Sequence, residues 1–231
     1  MAVNRTLITE SQWLKGLQPA TLDTLAGKAI VRRLANGELW VSRTERAGGI
    51  ALIVEGGLRS TTFTIEGKEY VFSIMKKGDI WGLVSTIDGI HNANDVYAHG
   101  KTTILTIDRR TTLAIMDAHP DFSRRLMGIL CHRLRMANAV LEDRALKPIE
   151  VRLARLLLSL RGSTGGTGKS NELRVTQELL ARFLGCTRPT VNHKLRKLER
   201  DGLIEVSYGA IRLRDLARMT QLAGTGDYFY F

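Results

Sequence analysis

The sequence predicts an α+β chain: a β-rich N-terminal half that closes into a roll or sandwich, one long helix, and a helix-turn-helix completed by a short β-hairpin. Three observations predict it. Across residues 29–107, short β-branched and apolar runs alternate with glycines, and eleven of the chain's 22 glycines lie from Gly27 to Gly100. Beyond Thr111 the turn glycines thin out, and residues 121–146 carry apolar side chains at helical spacing. Residues 175–204 (VTQELLARFLGCTRPTVNHKLRKLERDGLI) read as two short amphipathic helices around a glycine turn.

Composition bounds the function. The 231 residues are 44% hydrophobic, as expected of a globular chain of one large or two modest domains. No apolar run approaches the roughly 18 residues of a membrane span. Residues 1–10 lack the apolar core of a secretory signal, so the expected location is the cytoplasm. Two cysteines, Cys131 and Cys186, form no disulfide framework, which fits a reducing compartment. The net charge is +11, and its distribution is uneven. Residues 1–111 hold 14 Lys/Arg against 11 Asp/Glu, a balance of +3; the rest hold 20 against 12, a balance of +8. A positive field attracts polyanions, although a basic surface also serves solubility alone.

Taken in order, residues 10–25 place Trp13, Leu14, Leu17, Leu22 and Leu25 at helix-like spacing, broken by Pro19, which predicts two short helices. Strands are expected over residues 50–54 (IALIV), 58–65 (LRSTTFTI), 70–75 (YVFSIM) and 102–107 (TTILTI). Gly48-Gly49, Gly56-Gly57, Gly67, Gly78 and Gly89 fall where the turns between them are needed. In the long helix, Met127, Leu130, Leu134, Ala137 and Leu141 step by 3, 4, 3 and 4, the seam of a coiled coil. The seam predicts a homodimer, with packing on the same chain as the alternative. Pro148 separates this helix from another over residues 149–160. The run 162–170 (GSTGGTGKS) resembles a phosphate-binding loop only superficially. That loop needs a glycine where Ser163 stands, and it must follow a strand and open a helix. A surface linker is the better reading.

The segment 175–204 carries the function. Thr176 is placed to cap a first helix with Leu179, Leu180 and Phe183 on its apolar face. Gly185 supplies the turn, and Thr187 caps a second helix whose inward stripe is Val191, Leu195 and Leu198. Arg188, Asn192 and Arg196 lie on its other side, with Pro189, Thr190 and His193 beside them. Pro189 is tolerated in the first turn, where its missing N–H costs nothing. Such a helix suits the major groove of double-stranded DNA. Arginine donates twice to guanine, asparagine pairs with adenine, and threonine hydroxyls hold phosphates. Residues 203–207 and 210–213, joined by Tyr208-Gly209, make the wing. The competing reading, a helix pair that merely packs, leaves the run of cap, turn, cap, basic face and hairpin unexplained.

The core G-C-T-R-P-T-V-N (residues 185–192), followed by a leucine-spaced helix ending in D-G-L-I, resembles the DNA-binding domain of the Crp/Fnr family, which includes the catabolite activator protein and the fumarate-nitrate regulator. The resemblance spans nearly the whole chain. It implies an N-terminal cyclic-nucleotide-binding-like β-roll (1–118), a dimerisation helix (119–147) and a winged helix-turn-helix (148–231). It further implies that Arg188 reads a guanine, that Pro189 replaces a glutamate and His193 a second base-reading arginine, and that RNA polymerase is a further partner. Gly78-Asp79-Ile80-Trp81-Gly82 is similar to the entry of the family's nucleotide cassette. There Leu83 replaces the ribose-binding glutamate, and Asn92 and Ala93 stand for the Arg-Ser/Thr pair that grips the cyclic phosphate. Trp81, Gly82, Leu83, Asn92 and Ala93 thus outline an effector pocket without a cation for phosphate, so cyclic AMP and cyclic GMP are not expected to bind.

No cofactor is predicted. A cluster of the fumarate-nitrate type takes four thiolates and this chain has two; haem would have to use His91 or His99. An unidentified small effector and an apo-active regulator with a vestigial sensor both stay open. An enzyme using the roll cavity lacks a metal cluster, a nucleophile elbow or an acid/base pair. The aromatic tail, residues 228–231, is expected to pack on the protein.

Overall fold

The computed structural model describes residues 2–46, 48–67, 69–163 and 171–224. Residues 164–170 of the expected linker and the aromatic tail lie outside these residues; the first two linker residues, Gly162 and Ser163, instead end the helix Ile149–Ser163. Two compact units emerge, Met1–Thr62 with Ile74–Leu134, and Phe63–Ser73 with Arg135–Phe231.

The N-terminal unit opens with α1 (Ala2–Thr9) and α2 (Pro19–Lys28). Of the two helices expected within residues 10–25, only the second is found, as α2; residues 10–18 form turns, and α1 precedes them. Pro19 begins α2 instead of interrupting a helix, because its fixed φ suits the first helical turn. Strands β1 (Ile30–Leu34), β2 (Leu39–Val41), β3 (Gly49–Phe63), β4 (Glu69–Lys76), β5 (Ile80–Trp81) and β6 (Asp95–Asp108) form one sheet, ordered β1-β6-β3-β4, with β2 on β6 and β5 on β3. Residues 50–54 and 58–65, expected as two strands, are largely one. Gly56-Gly57 makes no turn; it sits where the β3–β6 register shifts. There Gly56 takes φ +70°, and a Cβ would lie 2.2 Å from the Lys101 carbonyl oxygen, so the kink depends on glycine.

β3 is buried on both faces. Ile50, Leu52 and Val54 join Leu14, Leu25, Leu83, Leu105 and Phe122 in one core, while Ala51 and Ile53 join Leu34, Leu58, Val96 and Ile104 in another. Strand alternation makes this division, and both cores read as apolar runs in sequence. Helix α3 (Leu83–Asp88) follows β5, and α4 (Arg109–Ala118) follows β6. Neither is marked by a proline or a long apolar period. Helix α5 (Pro120–Leu146) matches the expected long helix to within a residue at its start. It buries Phe122, Leu126 and Ile129 against the roll. The Gly78-Asp79 turn is tied down within this unit: Trp13 Nε1 donates to Asp79 Oδ1 at 2.9 Å, and Arg133 donates to the Ile80 carbonyl.

The C-terminal unit holds α6 (Ile149–Ser163), β7 (Glu172–Arg174), α7 (Gln177–Leu184), α8 (Arg188–Arg200), β8 (Ile204–Ser207), β9 (Ala210–Leu213) and α9 (Leu216–Ala223). The strands form a sheet of order β7-β9-β8, and the expected wing is the β8–β9 hairpin. Leu153, Leu156 and Leu157 of α6 pack in a core with Leu180, Leu195, Ile211 and Met219 fully or nearly fully buried. One guanidinium ties three helices: Arg155 pairs with Asp143 of α5 and donates to the Ala223 carbonyl of α9 at 2.7 Å. The hairpin segment Phe63–Ser73 belongs to this unit, where Glu69 pairs with Arg182 and the Tyr70 ring lies 4.8 Å from the Arg144 guanidinium.

Candidate nucleic-acid interface

Helices α7 and α8 are positioned by their caps. Thr176 Oγ1 accepts from the Leu179 N–H at 3.2 Å, and Thr187 Oγ1 accepts from the Thr190 N–H at 3.4 Å. Both threonines thus cap, as their position in the sequence predicts, and Thr187 Oγ1 also meets Thr190 Oγ1 at 2.8 Å. Between them Gly185 adopts φ +66°, and the Cys186 N–H reaches back to the Ala181 carbonyl at 3.1 Å. This left-handed glycine ends α7 and turns the chain into α8.

Val191, Leu195 and Leu198 are buried, so α8 presents its opposite face to solvent. Arg188, Pro189, His193 and Arg196 are exposed there, with Thr190 and Asn192 half-buried at the margin. All eight sequence-derived DNA-contact candidates therefore fall on the caps and the outer face of one helix pair. Arg188 and Arg196 pair with no carboxylate among the described residues, which leaves both forks available for bidentate donation. Tyr208, fully exposed at the wing tip, precedes Gly209 at φ +71°.

Sequence reasoning missed three neighbours. Asn192 Nδ2 donates to Gln177 Oε1 at 3.0 Å. Glu150 of α6 accepts from Lys194 at 2.9 Å and Lys197 at 3.1 Å. Those hydrogen bonds, Lys194 first, hold the Glu150 carboxyl below the usual carboxylate range. Arg152 donates to the Leu184 carbonyl at 2.6 Å, supporting the end of α7. Nothing local in the sequence points to these contacts, whose partners are 15 to 47 residues apart.

In the roll, the cassette positions are occupied by the protein itself. Trp81 meets Trp40 edge-on at 4.8 Å. Gly82 takes φ +88°, with a Cβ position 2.2 Å from the Gly49 carbonyl oxygen. Leu83 is 1% exposed and part of the apolar core. Asn92, 5% exposed, accepts from Ser85 Oγ at 2.9 Å and donates to the Glu45 carbonyl at 3.1 Å. Ala93 faces solvent. The cavity under α1 and α2, about 20 Å³ and lined by Ile8, Leu25, Leu52 and Phe122 among others, is apolar and near the size of one water. Along α5, Met127, Leu134 and Leu141 are 52%, 63% and 64% exposed and Ala137 is exposed, whereas Leu130 packs partly against the roll. Cys131 is exposed on α5 and Cys186 lies in the α7–α8 turn. Among the described residues no group of three or more His, Cys, Asp or Glu is placed to hold a metal ion.

Residues 151–222 match the Crp-like helix-turn-helix domain, and residues 31–119 match the cyclic nucleotide-binding domain. The chain belongs to the Crp/Fnr family of transcription regulators. Among its relatives, a CRP-like cAMP-activated global transcriptional regulator of Mycobacterium tuberculosis is 24% identical, covering 90% of this chain and 95% of the relative. The cyclic AMP receptor protein of Thermus thermophilus is 26% identical over 90% and 94% of the two chains. FixK2 from Bradyrhizobium japonicum shares the fold, with a TM-score of 0.75 at 20% identity, covering 86% of this chain and 98% of that one. The Crp/Fnr matches are transcription regulators rather than enzymes, and α7–β9 supply the DNA-binding helix-turn-helix of such a regulator. No helix among the described residues is long and apolar enough to cross a membrane.

Proposed function

We propose that this Crp/Fnr regulator acts as a homodimer on a two-fold symmetric operator, without dependence on a cyclic nucleotide. The observation that carries the DNA reading is the outer face of α8, where Arg188 and Arg196 have no carboxylate partner among the described residues and stand beside Pro189, Asn192 and His193. Two such helices placed in successive major grooves would read half-sites about 10 base pairs apart. Arg188 takes guanine, Asn192 takes adenine, and Thr176, Thr187 and Thr190 lie by the phosphates. Pro189 and His193 stand where the catabolite activator has charged readers, so the operator differs from that protein's.

Dimerisation is supported by the exposed leucine seam of α5. Three large apolar side chains facing water along one helix cost free energy that a second copy removes. The functional partition is then a sensor roll (1–118), a dimer helix (119–147) and a DNA-binding domain (148–231), acting in the cytoplasm with RNA polymerase as a further partner.

Nucleotide independence is supported by the chemistry of the cassette. A cyclic phosphate entering a buried site needs a cation or several free donors. Asn92 has both ends of its amide engaged, and Leu83 has no group for a ribose hydroxyl. Two relatives are named for cyclic AMP; this chain has lost the groups that would hold it. Regulation then comes from an unidentified small effector, or from abundance with a vestigial sensor.

Selection from a random duplex library with purified, ligand-free protein at physiological salt tests the whole reading. Enrichment of a two-fold repeat with guanines one turn apart is the expected outcome. Salt-sensitive binding with no enriched sequence would reject it for the ligand-free protein. Calorimetric titration with cyclic AMP should show no micromolar binding.

A further inference from the structure

Asn192 reaches the edge of the recognition face already holding another residue. Its Nδ2 donates to Oε1 of Gln177, the first residue of α7, at 3.0 Å, and both side chains are half-buried. A primary amide carries two N–H donors and one carbonyl acceptor. With one donor spent on Gln177, one N–H and Oδ1 remain. That residual pair matches adenine, whose major-groove edge offers the N7 acceptor and the N6 donor. Were the amide reversed, Oδ1 would be spent and two donors would remain, which match the N7 and O6 acceptors of guanine instead. An asparagine on an open helix face turns about its side-chain bonds and presents either edge, so it discriminates weakly. The hydrogen bond across the α7–α8 angle removes that freedom.

We infer that Gln177 is a positioning residue for base recognition, fixing the Asn192 amide so that it reads adenine. The inference rests on the reading of α8 as the recognition helix. Gln177 need not touch a base, and its place next to the cap of α7 makes it tolerant of substitution, since Thr176 caps the helix independently.

The test uses the full-length protein and four variants, Gln177→Met, Gln177→Glu, Asn192→Ala and Arg188→Ala. Each is carried through duplex selection and then titrated against the selected operator and against copies with one position changed. The wild type should select adenine at one position in each half-site, and Asn192→Ala should abolish that choice. One bidentate base contact discriminates roughly 5- to 150-fold. Gln177→Met, which removes the acceptor, should therefore lower the adenine preference by about ten-fold, leaving nonspecific affinity and melting temperature unchanged. Gln177→Glu keeps the acceptor and adds a negative charge near the phosphates. It should weaken binding to every sequence alike and retain the adenine preference. A purely structural role would not separate the two variants in this way.

Three results overturn the inference. Loss of the preference in Asn192→Ala but not in Gln177→Met would mean that Asn192 reads unaided. Guanine at the Asn192-dependent position would mean that the amide is set the other way. An unchanged preference in Asn192→Ala, with a changed one in Arg188→Ala, would remove Asn192 from base reading while leaving the helix's role intact. If neither asparagine nor arginine replacement altered any preference, the recognition-helix reading itself would fail.

Discussion

At Gly82 the absence of one methyl group decides whether β5 can lie against β3. The residue holds φ +88°, and a Cβ there would sit 2.2 Å from the Gly49 carbonyl oxygen. Gly82→Ala combines a disfavoured backbone with an overlap that side-chain movement cannot relieve, so a loss of at least about 2 kcal/mol in denaturant unfolding is expected. Arg188 is the opposite kind of residue, exposed and with no carboxylate partner among the described residues. Arg188→Ala should leave the melting temperature unchanged and cost about 1–3 kcal/mol of specific affinity, measured by titration with the selected operator. Residues of both kinds were partly legible in the sequence. Gly185 and Thr187 were readable because their signals are local: a glycine after an apolar stripe, and a threonine before the next one. The engagement of Asn192 by Gln177 was not, because it depends on the angle at which two helices cross.

At the scale of elements, legibility followed the length of the repeating pattern. Helix α5, 27 residues long, was found almost to the residue because its heptad seam repeats from Met127 to Leu141. Helix α9 spans eight residues and was missed altogether. Gly56-Gly57 misled because a glycine pair marks a bulge as readily as a turn, and only the β6 partner distinguishes them. Helix α4 shows a testable cap. Asp108 accepts from the Thr111 N–H at 2.9 Å and from its hydroxyl at 2.7 Å. These bonds, the backbone one first, hold its carboxyl below the usual carboxylate range. The cap's contribution is thus complete above the ordinary carboxylate pKa, about 4, and is lost as pH falls through the lower folded value. Asp108→Asn keeps an acceptor but does not titrate. Its thermal stability should therefore fall less than the wild type's on acidification, and parallel curves would refute the assignment.

For the whole molecule, the exposed seam of α5 makes assembly the first quantity to measure. Leu134→Glu places a charge in the middle of the stripe. Sedimentation should show a monomer, and affinity for a two-fold operator should fall at least ten-fold as the second half-site contact is lost. A dimer with unchanged affinity would return the seam to an intrachain role. The order of roll, long helix and winged helix was legible because each part keeps its own pattern over tens of residues. In the cassette, the uncharged residues Leu83 and Asn92 were legible in the sequence. How Asn92 satisfies itself became visible only in three dimensions. The count of lysines and arginines on α8, finally, overstates the charge that DNA will feel. Lys194 and Lys197 of α8 share the single carboxylate of Glu150, so one of their two charges is already compensated. Together they should displace fewer ions from the duplex than two free lysines would. Each phosphate neutralised contributes about 0.9 to the fall of log affinity with log salt, so Glu150→Gln, which removes one negative charge, should steepen that slope by up to about 0.9 per protomer.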